Sequence, residues 1–346
     1  MGRTTFSRLV RCTLHICGIW PYVPSTVLFR LYWIIALSTA QVFQYRYVVM
    51  NFHVDDFAEY MDGVSCTMSS SLLYIKLVIL WFYQRIFYDL VQMMSVDWKD
   101  CISSRCSSRV MIDGANLARR ASRWIVGMYV GSVTFYSLGV LAGNANSPET
   151  LEPYARDLIL KMELPFNIST DFIYTTVQSV QYYYLLFIAC GHGTINSLLV
   201  TLIIHVCGQI DILRESLTKI SKRSADSMDE ITLRSLIIKH QRIVIFAENI
   251  ENLFTYIAFI MLLSDTTIIC CLGFIIVTSK MIGSAAYDSL WYDFTIEESR
   301  TILFLIVRSQ KRLMITSGKI LDLSLERFTS VVKASLSYIS VLLAMY

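Results

Sequence analysis

Charged residues are scarce in this sequence of 346 residues, in which Asp, Glu, Lys and Arg together make up 16% of the chain. An average soluble domain carries about 25%. Hydrophobic residues reach 55%, mean hydropathy is +0.51, and the apolar residues form long blocks instead of short periodic stripes. This composition excludes an ordinary soluble domain and is typical of a chain that crosses a lipid bilayer.

Enzyme signatures are also missing. The five histidines have no metal-ligand spacing, and the sequence contains no Gly-rich phosphate loop. The net charge of +3 implies no bulk attraction to nucleic acid. We therefore predict a protein that is not an enzyme, without catalytic residues, cofactor or metal site, and with no nucleic-acid partner.

A secretory signal is not evident at the N-terminus. Arg3, Arg8 and Arg11 precede a stretch that is broken by Trp20 and Pro21, without a clean apolar core and a small-residue cleavage site. We expect the first span to remain in the mature protein and to act as its insertion signal.

Apolar blocks close to the roughly 20 residues that a crossing helix needs occur five times. The predicted spans are 25–45, 64–83, 124–143, 172–207 and 253–278. The fourth is too long for one crossing, so its end is expected to continue as a cytoplasmic helix. A sixth, weaker candidate is the C-terminal segment 323–346.

Lys and Arg concentrate in alternate loops, and these residues favour the cytoplasmic side. The N-terminal segment has three arginines, and the loops 84–123 and 209–252 carry seven basic residues each. Loop 53–59 has none, and loop 144–171 has two against five acids. The pattern predicts a cytoplasmic N-terminus.

Extracellular cysteine pairs are absent in this orientation, because only Cys66 approaches the exterior. A G-protein-coupled receptor keeps its N-terminus outside and usually holds its extracellular loops with a disulfide. The Asn-Pro-x-x-Tyr motif is missing as well. A metabotropic receptor therefore stays an alternative of lower rank, and the cysteines are expected to be reduced.

Individual residues within the spans allow several interpretations. Arg30 and Lys76 are expected to extend towards headgroups, and His192 to be a packed, hydrogen-bonded helix residue. Asp265, near the middle of a span, is expected to face the bundle interior or a wet cavity, with a functional role left open. Asn167 lies in a glycosylation sequon on a predicted extracellular loop.

Small residues recur every four positions in the third span, at Gly127 and Gly131 and again at Gly139 and Gly143. Such patterns let helices approach closely. We expect packing within the bundle, in preference to a dimerisation face.

The C-terminal segment 323–346 combines a polar stripe with apolar faces. On a helical period Glu326, Ser330, Lys333 and Ser337 share one face, and the segment becomes apolar from Val341 onward. This arrangement suits the lining of a water-filled pore with a hydrophobic constriction.

Six short motifs lie near the start of the chain, after the fourth span and in the C-terminal segment: CGIWP at 17–21, IHVCGQ at 204–209, SQKR at 309–312, TSGK at 316–319, LSLERFT at 323–329 and KASLSY at 333–338. Together they resemble the insect odorant receptor family over nearly the whole chain, and the C-terminal block is the most specific.

The resemblance implies an all-α, polytopic transmembrane bundle over residues 1–346 that forms an odorant-gated, non-selective cation channel. It implies a hetero-tetramer with a shared co-receptor subunit, a small volatile ligand, and a location in the plasma membrane of olfactory neuron dendrites. The cytoplasmic anchor would map to 209–252 and 302–312.

The resemblance also assigns site residues. The pore and gate positions would be Ser337, Tyr338, Val341 and Ala344. The ligand pocket in the outer half of the bundle would include residues of three spans, namely Ser70, Leu73, Tyr74, Ser132, Tyr136, Tyr174 and Gln178.

One departure from the family concerns the sixth of its seven spans. Thr278 runs almost directly into the stretch that precedes the pore helix, so a span and a loop are missing there. This deletion would invert the pore helix. A non-functional splice or gene variant is therefore an alternative to an active channel subunit.

Overall fold

The computed structural model describes most of the chain up to residue 340. The described residues are 5–20, 26–52, 57–102, 105–146, 158–166, 170–221, 230–289, 292, 295–310, 316–317, 321–322, 329–330, 333–334, 337 and 340. Their helices and strands are α1 Arg8–Ile16, α2 Thr26–Met50, α3 Phe57–Phe82, α4 Gln84–Ile102, α5 Arg105–Asn146, α6 Asp171–Ser221, α7 Glu230–Asp288, α8 Ile296–Gln310, β1 Thr316–Ser317 and β2 Leu321–Asp322. The two strands pair antiparallel.

Among the described residues, five helices are long and apolar enough to cross a membrane. These segments are Val27–Met50, Asp62–Phe82, Ser108–Asn144, Asp171–Thr218 and Leu233–Ser264. They overlap the five predicted spans, and the prediction of an all-α transmembrane bundle is confirmed. The cytoplasmic location of the N-terminus stays a prediction.

Large apolar side chains cover the outside of α2. Leu28, Ile35 and Val49 are each more than 60% exposed, with Val49 reaching 74%. A soluble protein rarely displays so continuous an apolar surface. This apolar surface of α2 is therefore suited to contact with lipid acyl chains.

The chain divides into two compact units, Met1–Ala258 and Phe259–Tyr346. In the first unit α5 packs along α6. Gly193 allows this close approach, because a Cβ at that position would lie 3.0 Å from the Cα of Val126. In the second unit α8 begins at a cap, where Glu298 Oε2 accepts hydrogen bonds from Thr295 N at 3.2 Å and Thr295 Oγ1 at 2.7 Å.

The short helix α1 begins and ends at well-defined caps. Ser7 accepts a hydrogen bond from Val10 N, and Gly18 with φ 66° ends the helix, a conformation that costs a residue with a Cβ about 1 kcal/mol or more. Cys17 and Ile19 are buried. The burial of these two residues and the turn at Gly18 give a physical reason for the CGIWP motif.

Side chains from α2 and α3 hold the C-terminal end of α1. Trp33 Nε1 donates to Ile16 O at 2.8 Å, Trp81 Nε1 to Cys17 O at 2.9 Å, and Arg30 Nε to Gly18 O at 2.9 Å. Carbonyl groups at a helix end have no intrahelical donor and must find one elsewhere. These three bonds meet that need, and Arg30 acts as a cap.

The glycines of α5 were predicted to pack against other helices of the bundle, and the structure shows a different environment for them. A Cβ built on Gly127, Gly131, Gly139 or Gly143 would meet nothing within 4 Å. Within the described part of the chain these glycines therefore do not bring helices together, and the expected packing inside the bundle is wrong there. They lie instead on an open side of α5.

Two cysteines of the N-terminal region should react very differently with a maleimide at pH 8. Cys12 is exposed and Cys17 is buried. Burial, reinforced by nearby Cys190, raises the pKa of the Cys17 thiol to about 12, so the reactive thiolate is a minor species. In variants that keep one of the two thiols, we expect rapid labelling of Cys12 and none of Cys17.

The same labelling tests the orientation. In sealed vesicles, a membrane-impermeant maleimide should reach Cys12 only from the cytoplasmic face. Labelling of Cys12 from the exterior would contradict the prediction that the N-terminus is cytoplasmic.

Candidate functional site

The segment 158–166, between α5 and α6, folds into the end of the bundle that the charge pattern assigns to the exterior. Ile159 and Leu160 are 1% and 0% exposed and pack with Leu185. A surface loop rarely buries its backbone so fully unless its polar groups find partners. The partly buried residues packed around this cluster are Cys66, Val133, Tyr136, Val140, Met162, Tyr182 and Tyr184.

Two glutamines of α6 provide those partners. Gln178 Oε1 accepts from Ile159 N at 3.1 Å, and Gln181 Oε1 accepts from Leu160 N at 3.0 Å. Gln181 Nε2 also donates to Leu160 O at 3.1 Å. The side-chain amide of Gln181 thus pairs with the backbone of Leu160 as a neighbouring strand would. We refer to residues 158–163 as the inserted loop.

Tyr136 connects the inserted loop to α3. Its hydroxyl donates to Asp62 Oδ2 at 2.7 Å and lies 3.3 Å from Ile159 O, and Cys66 Sγ donates to it at 3.8 Å. A hydrogen bond to a carboxylate is stronger than one between neutral groups. The tyrosine side chain is therefore fixed in one orientation, packed against the cluster of Ile159, Leu160 and Leu185.

The predicted pocket residues Tyr136, Tyr174 and Gln178 meet around the inserted loop. The hydroxyl of Tyr174 accepts from Gln178 Nε2 at 2.7 Å and from Asn144 Nδ2 at 2.9 Å. This chain of bonds links α5, α6 and the loop. It forms a polar edge beside an aromatic and aliphatic interior, the combination that small-ligand sites use.

Three further predicted residues lie together on α3. Ser70 Oγ accepts from Gln44 Nε2 at 3.3 Å, and the hydroxyl of Tyr74 is 3.2 Å from Ser38 Oγ. Leu73 is fully buried against Gly191, where a Cβ would lie 2.8 Å from Leu73 Cδ1. Ser132 is separate from all of these, because it is exposed on the open side of α5.

Sequence reasoning missed Asp62, Ile159, Leu160 and Gln181. One signal was available, namely the run LILKMEL at 158–164, which is unusually apolar for a loop in an acidic segment. The spacing of Gln178 and Gln181, three residues apart on one helix face, was a second signal.

Lys76 and His192 form a buried pair between α3 and α6. Lys76 is 2% exposed, and its Nζ lies 3.3 Å from His192 Nδ1, while His192 Nε2 lies 3.1 Å from Ser69 O. A neutral imidazole with its proton on Nε2 satisfies both contacts, because an ammonium group only donates. The prediction of a hydrogen-bonded His192 is confirmed, and extension of Lys76 to headgroups is wrong.

A second polar cluster joins α4, α6 and α7 at the end of the bundle that is predicted to be cytoplasmic. His205 Nε2 lies 3.0 Å from Asp97 Oδ2, and Arg242 Nη1 lies 3.6 Å from Asp97 Oδ1 and 2.9 Å from Asp100 Oδ2. The ring of Phe246 is tilted against His205, with 5.3 Å between the ring centroids. His205 belongs to the IHVCGQ motif, and its contact explains why a histidine occupies that position.

Several predicted residues lie outside the described residues: Tyr338, Val341, Ala344 and Asn167, together with the side chain of Asp265. Ser337 is helical and exposed. The described helical residues around it are 329–330, 333–334 and 340.

The chain matches the family described as 7tm Odorant receptor over residues 56–280 and 275–336. Odorant receptor 13a of Drosophila melanogaster is 23% identical over 413 residues, covering 97% of this chain and 95% of that protein. Odorant receptor 10 of Aedes albopictus is 24% identical over 172 residues, covering 40% of this chain and 45% of that protein. The solved structure of the insect olfactory receptor OR5 from Machilis hrabei aligns with a TM-score of 0.56 at 12% identity, covering 97% of each chain.

The family match is interrupted where the sequence lacks a span. It breaks into two pieces that overlap only at 275–280. The alignment with odorant receptor 13a is 413 residues long, more than the 346 residues of the whole chain, so gaps stand opposite segments of that relative. The break in the family match lies next to Thr278, and the length of the alignment agrees with segments of that relative that have no counterpart in this chain.

Proposed function

Because this chain belongs to the 7tm odorant receptor family, a family of chemoreceptors that span the membrane several times, we propose that it is the odorant-binding subunit of an odorant-gated, non-selective cation channel. It assembles with a shared co-receptor subunit into a hetero-tetramer in the plasma membrane of olfactory neuron dendrites. The observation that carries this proposal is the aromatic and apolar cluster around the inserted loop, with fixed hydroxyl and amide groups at its edge.

The chemistry of that cluster suits a small, mainly apolar ligand. Tyr136 and Tyr174 are held by Asp62, Asn144 and Gln178, which leaves rings and methyl groups as the main contact surface. A ligand without charge can enter such a site at little desolvation cost. Ser70, Leu73 and Tyr74 extend the same site along α3 in this proposal, and Ser132 would contribute from α5.

Transmission to the pore is assigned to the opposite end of the chain. Ser337, Tyr338, Val341 and Ala344 line the pore in this proposal, with Val341 as the hydrophobic gate. Residues 209–252 and 302–312 form the anchor between subunits, and Asn167 is a glycosylation site on the exterior. The Asp97 cluster would support the anchor, since Arg242 lies within it.

Co-expression with the co-receptor tests the proposal. We expect odorant panels to evoke a cation current that persists when G proteins are blocked with a GTP analogue. Tyr136→Phe keeps the ring and loses the bond to Asp62, so it should shift the concentration for half-maximal response. Ser179→Ala, on the exposed face of α6, is the matched control. A current abolished by the G-protein block would favour the metabotropic alternative.

A second candidate is a variant that lacks channel activity, and the break in the family match at 275–280 favours it. Sequencing the transcript across 278–284 separates the two. An additional hydrophobic segment there would restore the missing sixth of the family's seven spans. If the segment is absent and its insertion after Thr278 creates a current that the chain alone lacks, the chain as written is the inactive form.

A further inference from the structure

Four arginines are among the seven described residues that line a cleft between α1 and α5. Its cavity is about 600 Å³, and its described lining residues are Ser7, Arg8, Leu9, Asn116, Arg119, Arg120 and Arg123. No carboxylate lines it among the described residues. Arg119 is held in place, because its Nε donates to Ala115 O at 3.1 Å and its Nη2 to Asn116 Oδ1 at 2.9 Å.

An apolar groove continues from this cleft along α5. It measures about 830 Å³ and begins at the same Arg120 and Arg123. Its other described lining residues, all from α5, are Trp124, Gly127, Met128, Gly131, Ser132 and Phe135. The two cavities thus share a pair of guanidinium groups at their junction.

The groove exists because two glycines leave space between large side chains. Trp124, Met128 and Phe135 are 75%, 64% and 78% exposed. A Cβ on Gly127 or Gly131 would meet nothing within 4 Å. Trp124 next to the arginines is typical of the boundary between headgroups and acyl chains. The groove therefore starts at the membrane surface and runs into the hydrocarbon region.

We propose that the arginine cleft and the adjoining groove bind an anionic phospholipid whose headgroup carries several negative charges, that is, a phosphorylated phosphatidylinositol of the cytoplasmic leaflet. Arg8, Arg119, Arg120 and Arg123 contact the phosphates, and an acyl chain lies over Gly127 and Gly131. This inference rests on the predicted cytoplasmic N-terminus and goes beyond odorant detection.

Charge complementarity favours this occupant over a zwitterionic lipid or a second copy of the chain. Guanidinium groups bind phosphate through paired hydrogen bonds, and basic pockets beside transmembrane helices on the cytoplasmic side are suited to such headgroups. A second copy would bring the same four arginines to a two-fold contact, where they would repel one another.

The full-length purified chain in detergent can be titrated with phosphatidylinositol 4,5-bisphosphate, phosphatidylserine or phosphatidylcholine, with bound lipid counted by native mass spectrometry. We expect the first lipid to bind most tightly. The double variant Arg120→Gln/Arg123→Gln should lose about tenfold or more in affinity, at roughly a factor of five per arginine. Arg109→Gln, an exposed arginine of α5 outside both cavities, should stay within about twofold.

Substitutions of glycines in α5 test the acyl-chain groove independently of the arginine cleft. Gly131→Leu places a side chain in the groove, at a position where a Cβ would meet nothing within 4 Å, and it should lower the affinity for the diacyl lipid several-fold. Binding of inositol 1,4,5-trisphosphate, the headgroup alone, should be unchanged. Gly139→Leu lies on the same helix with equal space around it and outside the groove, so it should have no effect.

Equal affinity for all three lipids, or equal losses in Arg109→Gln and the double variant, would overturn the proposal. The same holds if Gly131→Leu leaves lipid binding intact, or if it changes the number of subunits in the complex in place of lipid binding. None of these measurements requires an odorant-evoked current, so failure here leaves the proposed function standing.

Discussion

Asp97→Ala should lower the free energy of unfolding of the protein by about 3 kcal/mol, the largest effect that we expect from any single substitution. Its side chain is only 10% exposed, and it faces His205, which is 1% exposed, and Arg242, which is 38% exposed. Removal of the carboxylate leaves the Nε2 of His205 buried without this partner. Most of the loss in stability comes from burying the ring N–H of His205 without a hydrogen-bond partner, and less comes from the lost hydrogen bond itself.

Asp100→Ala is the matched control, because the two aspartates share Arg242. Asp100 makes the shorter contact, 2.9 Å against 3.6 Å, yet its side chain is 62% exposed. An exposed ion pair contributes less than about 1 kcal/mol. Unfolding by titration with a denaturing detergent measures both variants. Losses of equal size would show that burial does not decide the strength of this cluster.

Gln181→Leu should release the inserted loop. Leucine has a similar volume but cannot pair with Leu160 N and O, and each buried backbone group without a partner costs about 1–3 kcal/mol. Hydrogen exchange of the peptide 158–166 should therefore become faster by about 30-fold or more, since each 1.4 kcal/mol is a factor of ten. The rest of α6 should keep its protection.

Ser179→Leu serves as the comparison, because Ser179 lies two residues away on the exposed face of α6. It adds the same side chain and leaves the loop contacts intact. If Gln181→Leu and Ser179→Leu exchange equally slowly in 158–166, the glutamine does not hold the loop. Faster exchange of the loop in the first variant would also predict a change in odorant response, provided that the cluster around the loop is the ligand site.

The five spans were predictable because hydropathy is a local property, and a run of about 20 apolar residues identifies a crossing on its own. The orientation stays a prediction, and it too rests on a local property, since loop charges are counted without knowledge of packing. The family followed from short C-terminal motifs. Each of these inferences needs only neighbouring residues in the sequence.

The contacts of the site were not predictable, because they join residues far apart in the chain. From its position along α3, Lys76 was expected to extend to headgroups. Its ammonium group instead contacts His192, which lies 116 residues later in the chain. From the sequence, Ile159 and Leu160 are ordinary loop residues. Their burial depends on hydrogen bonds from their backbone N–H groups to Gln178 and Gln181 of α6. The glycines of α5 have the pattern of a packing face, and only the absence of a described neighbour within 4 Å reveals an open groove.

The end of α1 has a consequence for the order in which the protein matures. The carbonyl groups of Ile16, Cys17 and Gly18 are synthesised first, while their donors Trp33 and Arg30 belong to α2 and Trp81 belongs to the end of α3. These three hydrogen bonds at the end of α1 therefore cannot all form until α3 has been synthesised and has crossed the membrane, which brings Trp81 to the side where α1 lies. The N-terminal helix α1 is thus synthesised before α2 and α3 but completes its packing only after both of them are in place.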